Sequence, residues 1–114
     1  MRTSRIAAVA AASTVALAAA AIPAAAVGGA HASSEHVVTL KEIRFHPGTL
    51  TIRQGDSVKW VWRDDVEHNV TFHGFHSATQ LSGTYTVRFT HRGTFSYRCT
   101  IHVAQGMTGR IIVR

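Results

Sequence analysis

The chain holds a single cysteine, Cys99, in the stretch FSYRCTIHVAQGM from Phe95 to Met107. His102 follows three residues later and Met107 five after that, a C-x2-H-x4-M spacing. One cysteine cannot close an internal disulfide. The thiol is therefore a buried spectator, an intermolecular link, a nucleophile or a metal ligand. Its neighbours favour the last. A thiolate and a thioether are soft donors and imidazole suits copper, and a loop of this length can turn all three side chains to one point. The set lacks a second imidazole. His68 is the best candidate, placed after the loop RDDVE at the start of HNVTF, with Asn69 beside it able to hydrogen-bond locally.

Such donors need elements to hold them. From residue 36 onward apolar residues alternate with polar ones, and turn signals recur at short intervals. HVVTLKEIRF (36–45) opens the pattern, Pro47-Gly48 turns, and TLTIR (49–53) sets Leu50 and Ile52 on one face. SVKWVWR (57–63) sets Val58, Trp60 and Trp62 on one side. TYTVRFT (84–90) does the same with Tyr85, Val87 and Phe89, and TFSYRC (94–99) with Phe95, Tyr97 and Cys99. GRIIVR (109–114) ends the chain, and residues 74–83 read as a loop. No amphipathic helix pattern of useful length follows residue 32. The expectation is an all-β domain, an antiparallel sandwich or small barrel of about seven strands. Period two aims Cys99 inward with Phe95 and Tyr97, and Trp60 and Trp62 are expected to pack the core.

The first 32 residues do not fit this pattern. Arg2 and Arg5 precede an almost wholly aliphatic run from Ile6 to Val27, and Ala30-His31-Ala32 is a small-x-small site. These are the three parts of a secretory signal peptide, which implies export by a Sec-type route to the cell envelope or beyond. A membrane anchor is the competing reading; the run is alanine-rich, and Pro23, Gly28 and Gly29 break it. No cysteine lies near the site to carry a lipid, and the two arginines are not adjacent as a twin-arginine signal requires. Cleavage after Ala32 leaves residues 33–114 as one domain with 10 basic and 6 acidic residues, a net charge of +4. The basic residues form no run and no aromatic-interleaved patch, which argues against nucleic acid and suits an acidic partner.

Taken together, GDSVKWVW, HNVTF and GTFSYRCTIHVAQGM resemble the plastocyanin and halocyanin branch of the cupredoxins, the small type 1 blue copper proteins. The resemblance runs from Phe45 to Val113 and includes Phe45, Pro47, Leu50, Ile52, Gly55, Asp56, Val58 and Trp60. It implies a Greek-key β-sandwich and one type 1 copper ion held by His68, Cys99, His102 and Met107. Asn69 would then tie the two ligand loops together. It also implies a monomer that carries single electrons, docking redox partners near His102, where Ile101, Val103 and Ala104 supply an apolar rim. Three features depart from the family. Only 31 positions separate His68 from Cys99, and the region bearing the acidic docking patch of plant plastocyanins is absent. Glu67 and Ile101 stand where proline is common, before each histidine.

Two other clusters are read more plainly. His73 and His76 form an H-x2-H pair that could hold a second metal but is expected to be ordinary loop. Asp64, Asp65 and Glu67 are expected to form a solvated acidic loop, with a docking role second. A copper-binding or copper-delivery protein without a redox partner is the alternative to an electron carrier. A copper enzyme is not expected: no two histidines are spaced by one residue, and Arg98 and Thr100, not histidine, flank Cys99.

Overall fold

A computed structural model describes residues 32–114. Except for Ala32, the expected leader lies outside the described residues. The described chain forms eight strands: β1 Glu35–Lys41, β2 Arg44–His46, β3 Thr49–Ile52, β4 Ser57–Trp62, β5 Thr71–Phe72, β6 Gly83–Arg88, β7 Gly93–Arg98 and β8 Thr108–Val113. A single 3₁₀ turn, Val103–Gln105, lies between β7 and β8. Two four-stranded sheets result, β2-β1-β4-β6 and β3-β8-β7-β5. The sandwich expectation holds, and the sheets do not close into a barrel. Two of the six pairings, β1 with β4 and β3 with β8, are parallel. No helix among the described residues is long and apolar enough to cross a membrane.

Alternation builds the core. Val58, Trp60 and Trp62 of β4 are buried while Ser57, Lys59 and Val61 are half-exposed. Trp60 is the centre. Its indole meets Tyr97 edge-on at 5.4 Å and Phe72 at 5.7 Å, while Phe45 meets Tyr97 at 4.6 Å. Each such ring buries roughly 150–250 Å², so this cluster dominates the apolar burial. Gly109 makes room for it. A Cβ there would lie 2.5 Å from the Tyr97 hydroxyl, so any side chain would displace that ring from between the sheets.

The expected first strand, residues 36–45, is two strands. It breaks at Glu42-Ile43, where φ is 58° and 55°. Lys41 pairs with Arg44 across this two-residue loop, the geometry of a tight hairpin turn that needs positive φ at both centres. A β-branched residue rarely accepts that conformation. The Ile43 side chain packs against the core, and its amide donates to Asp64 Oδ2 at 2.9 Å. The approach to β1 is pinned by a buried acid. Asp56 accepts from the amides of Ser34 and Arg53 and from His36 Nε2 at 2.9–3.1 Å.

Candidate metal centre

Three donors meet at one end of the sandwich. Cys99 leaves β7 and is fully buried, as its place in the Phe95-Tyr97-Cys99 series requires. The chain then turns tightly. The His102 amide donates to the Cys99 carbonyl at 3.3 Å and the Gly106 amide to the Val103 carbonyl at 2.9 Å. Gly106 takes the left-handed conformation, φ 85°, that reverses the chain. Met107 returns fully buried. Its amide donates to the His102 carbonyl at 3.2 Å, and its carbonyl accepts from the Cys99 amide at 3.1 Å. These bonds clasp the loop at both ends, so the backbone at Cys99, His102 and Met107 is set by the loop itself.

His68 comes from the other side. HNVTF is a strand only at Thr71–Phe72. His68 instead exchanges both backbone hydrogen bonds with Gln80 at 3.0 Å. Its carbonyl also accepts the Trp62 indole N–H at 3.0 Å. Asn69 binds the two sides together. Its Oδ1 accepts from the Thr100 amide and the Thr71 hydroxyl, and its Nδ2 donates to the hydroxyls of Thr100 and Thr79, all at 2.9–3.0 Å.

The donor atoms face inward. His68 Nδ1 lies 3.1 Å from His102 Nδ1, and Cys99 Sγ lies 3.9 Å and 3.6 Å from those nitrogens. Bonds of about 2.0 Å to nitrogen and 2.3 Å to sulfur, as zinc makes, would put planar donors about 3.5–3.7 Å apart. The observed triangle is close to that. Among the described residues this is the only group of three or more His, Cys, Asp or Glu donors able to share an ion. His73 and His76 have no third member, and His76 Nδ1 donates to the Ser77 carbonyl at 2.7 Å.

Asp64 decides which nitrogen of His68 faces the triangle. His68 Nε2 lies 2.8 Å from Asp64 Oδ2. The Ile43 amide foremost, with the His68 imidazole and the Asp65 amide, holds the Asp64 carboxyl down at about 2, although burial pulls the other way. The group is an anion and can only accept. His68 must donate from Nε2, which leaves the Nδ1 lone pair aimed at His102 and Cys99. Two facing imidazole nitrogens suit a shared proton or, with the sulfur, a metal ion. Thus Asp64 is no solvated loop acid: it is 11% exposed and bonded three ways. An acid four residues before a histidine in a loop was the available sign, and its meaning depends on a turn made by Ile43. Alternation predicts only core packing for Trp62; its N–H positions the His68 backbone as well.

Comparison with known proteins gives the family. Residues 32–114 match the model of the family described as copper binding proteins, plastocyanin/azurin family. Amicyanin of Paracoccus denitrificans is 32% identical over 85 residues, which cover 68% of this chain and 63% of that protein. Chloroplastic plastocyanin of Tetradesmus obliquus is 33% identical over 84 residues, 61% of this chain and 58% of that one. The chain thus spans about six-tenths of these relatives' length. A Cu(I) structure of an amicyanin mutant superposes with a TM-score of 0.65 at 28% identity, covering 74% of this chain and 86% of that chain. A purple cupredoxin from Nitrosopumilus maritimus, 21% identical, shares the fold with a TM-score of 0.62 over 69% of this chain and 99% of that one. The thiol, the paired imidazoles and the buried thioether suit copper, and the chain belongs to the plastocyanin/azurin family of copper-binding proteins.

Proposed function

We propose that this chain is an exported single-electron carrier whose one copper ion is held by His68, Cys99, His102 and Met107. Bound there, copper would supply one-electron chemistry between Cu(I) and Cu(II). The observation that carries the reading is the inward triangle of Cys99 Sγ and two Nδ1 atoms, with the His68 tautomer set by Asp64. Cys99 must lose its proton to serve as a ligand. His68 is locked by Asp64, Trp62 and Gln80, so its ring has no room to reorient when charge changes. A site fixed in advance keeps rearrangement small, which is what fast electron exchange needs. His102 is half-buried, between exposed Ile101 and Val103. Its imidazole edge is the exit for electrons, and a small apolar rim fits a brief encounter with a redox partner. No catalysis is assigned to the chain.

The decisive experiment is an absorption and EPR spectrum of the copper-loaded protein. An intense red-region band with narrow copper hyperfine splitting is expected, and Cys99→Ser should abolish both while leaving the far-ultraviolet circular dichroism unchanged. A weak, ordinary Cu(II) spectrum in the parent would end the assignment. Copper exchange separates carriage from delivery. Slow exchange beside fast electron self-exchange is expected, and the reverse would make the chain a copper donor. Export is tested on the protein recovered outside the cytoplasm, whose first residue should be Ser33.

A further inference from the structure

All six carboxylate side chains of the sequence lie between Glu35 and Glu67. From His68 to Arg114 there are five arginines and no acid. The fold turns this division into a face. The sheet β3-β8-β7-β5 carries no acidic residue in any strand. On its outer side the register places Thr49, Arg110 and Ser96 in one row. Thr108, Arg98 and Thr71 form the next. Arg98 and Arg110 are diagonal neighbours on adjacent strands, a separation of roughly 7–8 Å between backbones. Between them runs a groove of about 600 Å³ with Gly48 and Gly109 among its lining residues. Neither guanidinium has a hydrogen-bond or ion-pair partner among the described residues.

Two like charges at this spacing do not stabilise a sheet. No complement to them lies in any strand of the sheet itself. Each guanidinium offers a planar fork that fits a carboxylate with two parallel bonds, and the neighbouring hydroxyls add donors. Nucleic acid fits less well. The face offers only two cations to neutralise phosphates, and no aromatic ring is exposed on these rows for base stacking. The location also matters. Arg98 precedes Cys99 and Thr108 follows Met107 in the chain, so one row adjoins the donor loop.

We propose that the outer face of this sheet, centred on Arg98 and Arg110, docks an acidic protein partner that seats carboxylates in the groove. This deepens the electron-carrier reading by giving the partner a charge and an orientation, but the contact itself does not need the metal. The test is a nuclear magnetic resonance titration with poly-L-glutamate, run on the Cu(I)-loaded protein and again on the metal-free chain. Saturable shifts are expected at Thr49, Ser96, Arg98, Thr108 and Arg110 in both. The double variant Arg98→Gln, Arg110→Gln should weaken binding about tenfold and flatten its salt dependence. Arg44→Gln and Lys59→Gln, on the other sheet, should change neither. Shifts spread over the whole surface, or centred on the other sheet, would overturn the proposal. So would tighter binding of oligothymidylate at the same residues. Failure of copper binding with these shifts intact would defeat the carrier reading alone; normal copper spectra without them would defeat only the docking face.

Discussion

The two histidines of the centre live in opposite surroundings. His68 is fully buried, with Asp64 on Nε2 and both Trp62 and Gln80 on its backbone. His102 is half-buried in a short loop, and among the described residues its ring bonds only toward the other donors. One imidazole is part of the architecture, the other opens toward the surface. The proposed carrier role would use both: a fixed side that prevents rearrangement and an open side through which a partner couples.

The sharpest way to break this comparison is to delete each ring. His68→Ala would open a cavity beside a carboxylate that has lost its imidazole partner. That should cost roughly 2–4 kcal/mol in urea unfolding of the metal-free chain. His102→Ala removes a half-buried ring that touches only the other donors and should cost under about 1 kcal/mol. Equal costs would mean that the two sides do not differ. Both variants should lose the type 1 spectrum.

Asn69→Ala tests how the two sides are joined. The amide makes four hydrogen bonds between the His68 segment, Thr79 and Thr100. Its loss strands the Thr100 amide and should cost about 1–3 kcal/mol. Copper affinity should fall about 10–100-fold, as for other residues that orient metal ligands. Competition with a chelator of known affinity measures this. Unchanged affinity would show that the two loops hold their positions unaided.

Much of this is legible in the sequence. The period of two in Val58-Lys59-Trp60-Val61-Trp62 fixes a face without reference to any neighbour. The spacing of Cys99, His102 and Met107 is local, so one tight loop delivers all three. His68 was found through its HNVTF context. What stayed hidden depends on contacts between distant segments. The parallel pairings of β1 with β4 and β3 with β8 are set by sandwich closure, not by alternation. The turn at Glu42-Ile43 lacks the Gly or Asn that marks positive φ, so β1 and β2 read as one strand. Asp64 then looked like one of three loop acids. Only the Ile43 amide, itself exposed by that turn, shows why this acid is drawn in and its neighbours are not.

Asp64→Asn sharpens the comparison without removing the bond. The amide oxygen can still accept from His68 Nε2, but the negative charge is gone, and an anionic partner makes an imidazole a stronger donor. The reduction potential should rise by some tens of millivolts; a tenfold change in preference between oxidation states is about 59 mV for one electron. Cyclic voltammetry reads this directly. His102 has no anionic partner among the described residues, so no equivalent change is available on the open side. A potential unmoved by Asp64→Asn, with copper still bound, would make Asp64 a structural brace alone.

The smallest effect concerns the turn behind Asp64. Glu42 is exposed and holds φ at 58°, where a non-glycine residue other than Asn or Asp is penalised by about 1–2 kcal/mol. Its contact with His46 Nε2, 3.8 Å away, is exposed and worth little. Glu42→Asn should therefore stabilise the domain by about 0.5–1 kcal/mol in chemical denaturation. The turn would keep its shape and the Ile43 amide its bond to Asp64, so the copper spectrum and potential should not move. A shift in potential here would mean that the strained turn sets how Asp64 meets His68. The fixed side of the centre would then extend outward through Ile43 to the hairpin, some 25 residues upstream of the ligand it steadies.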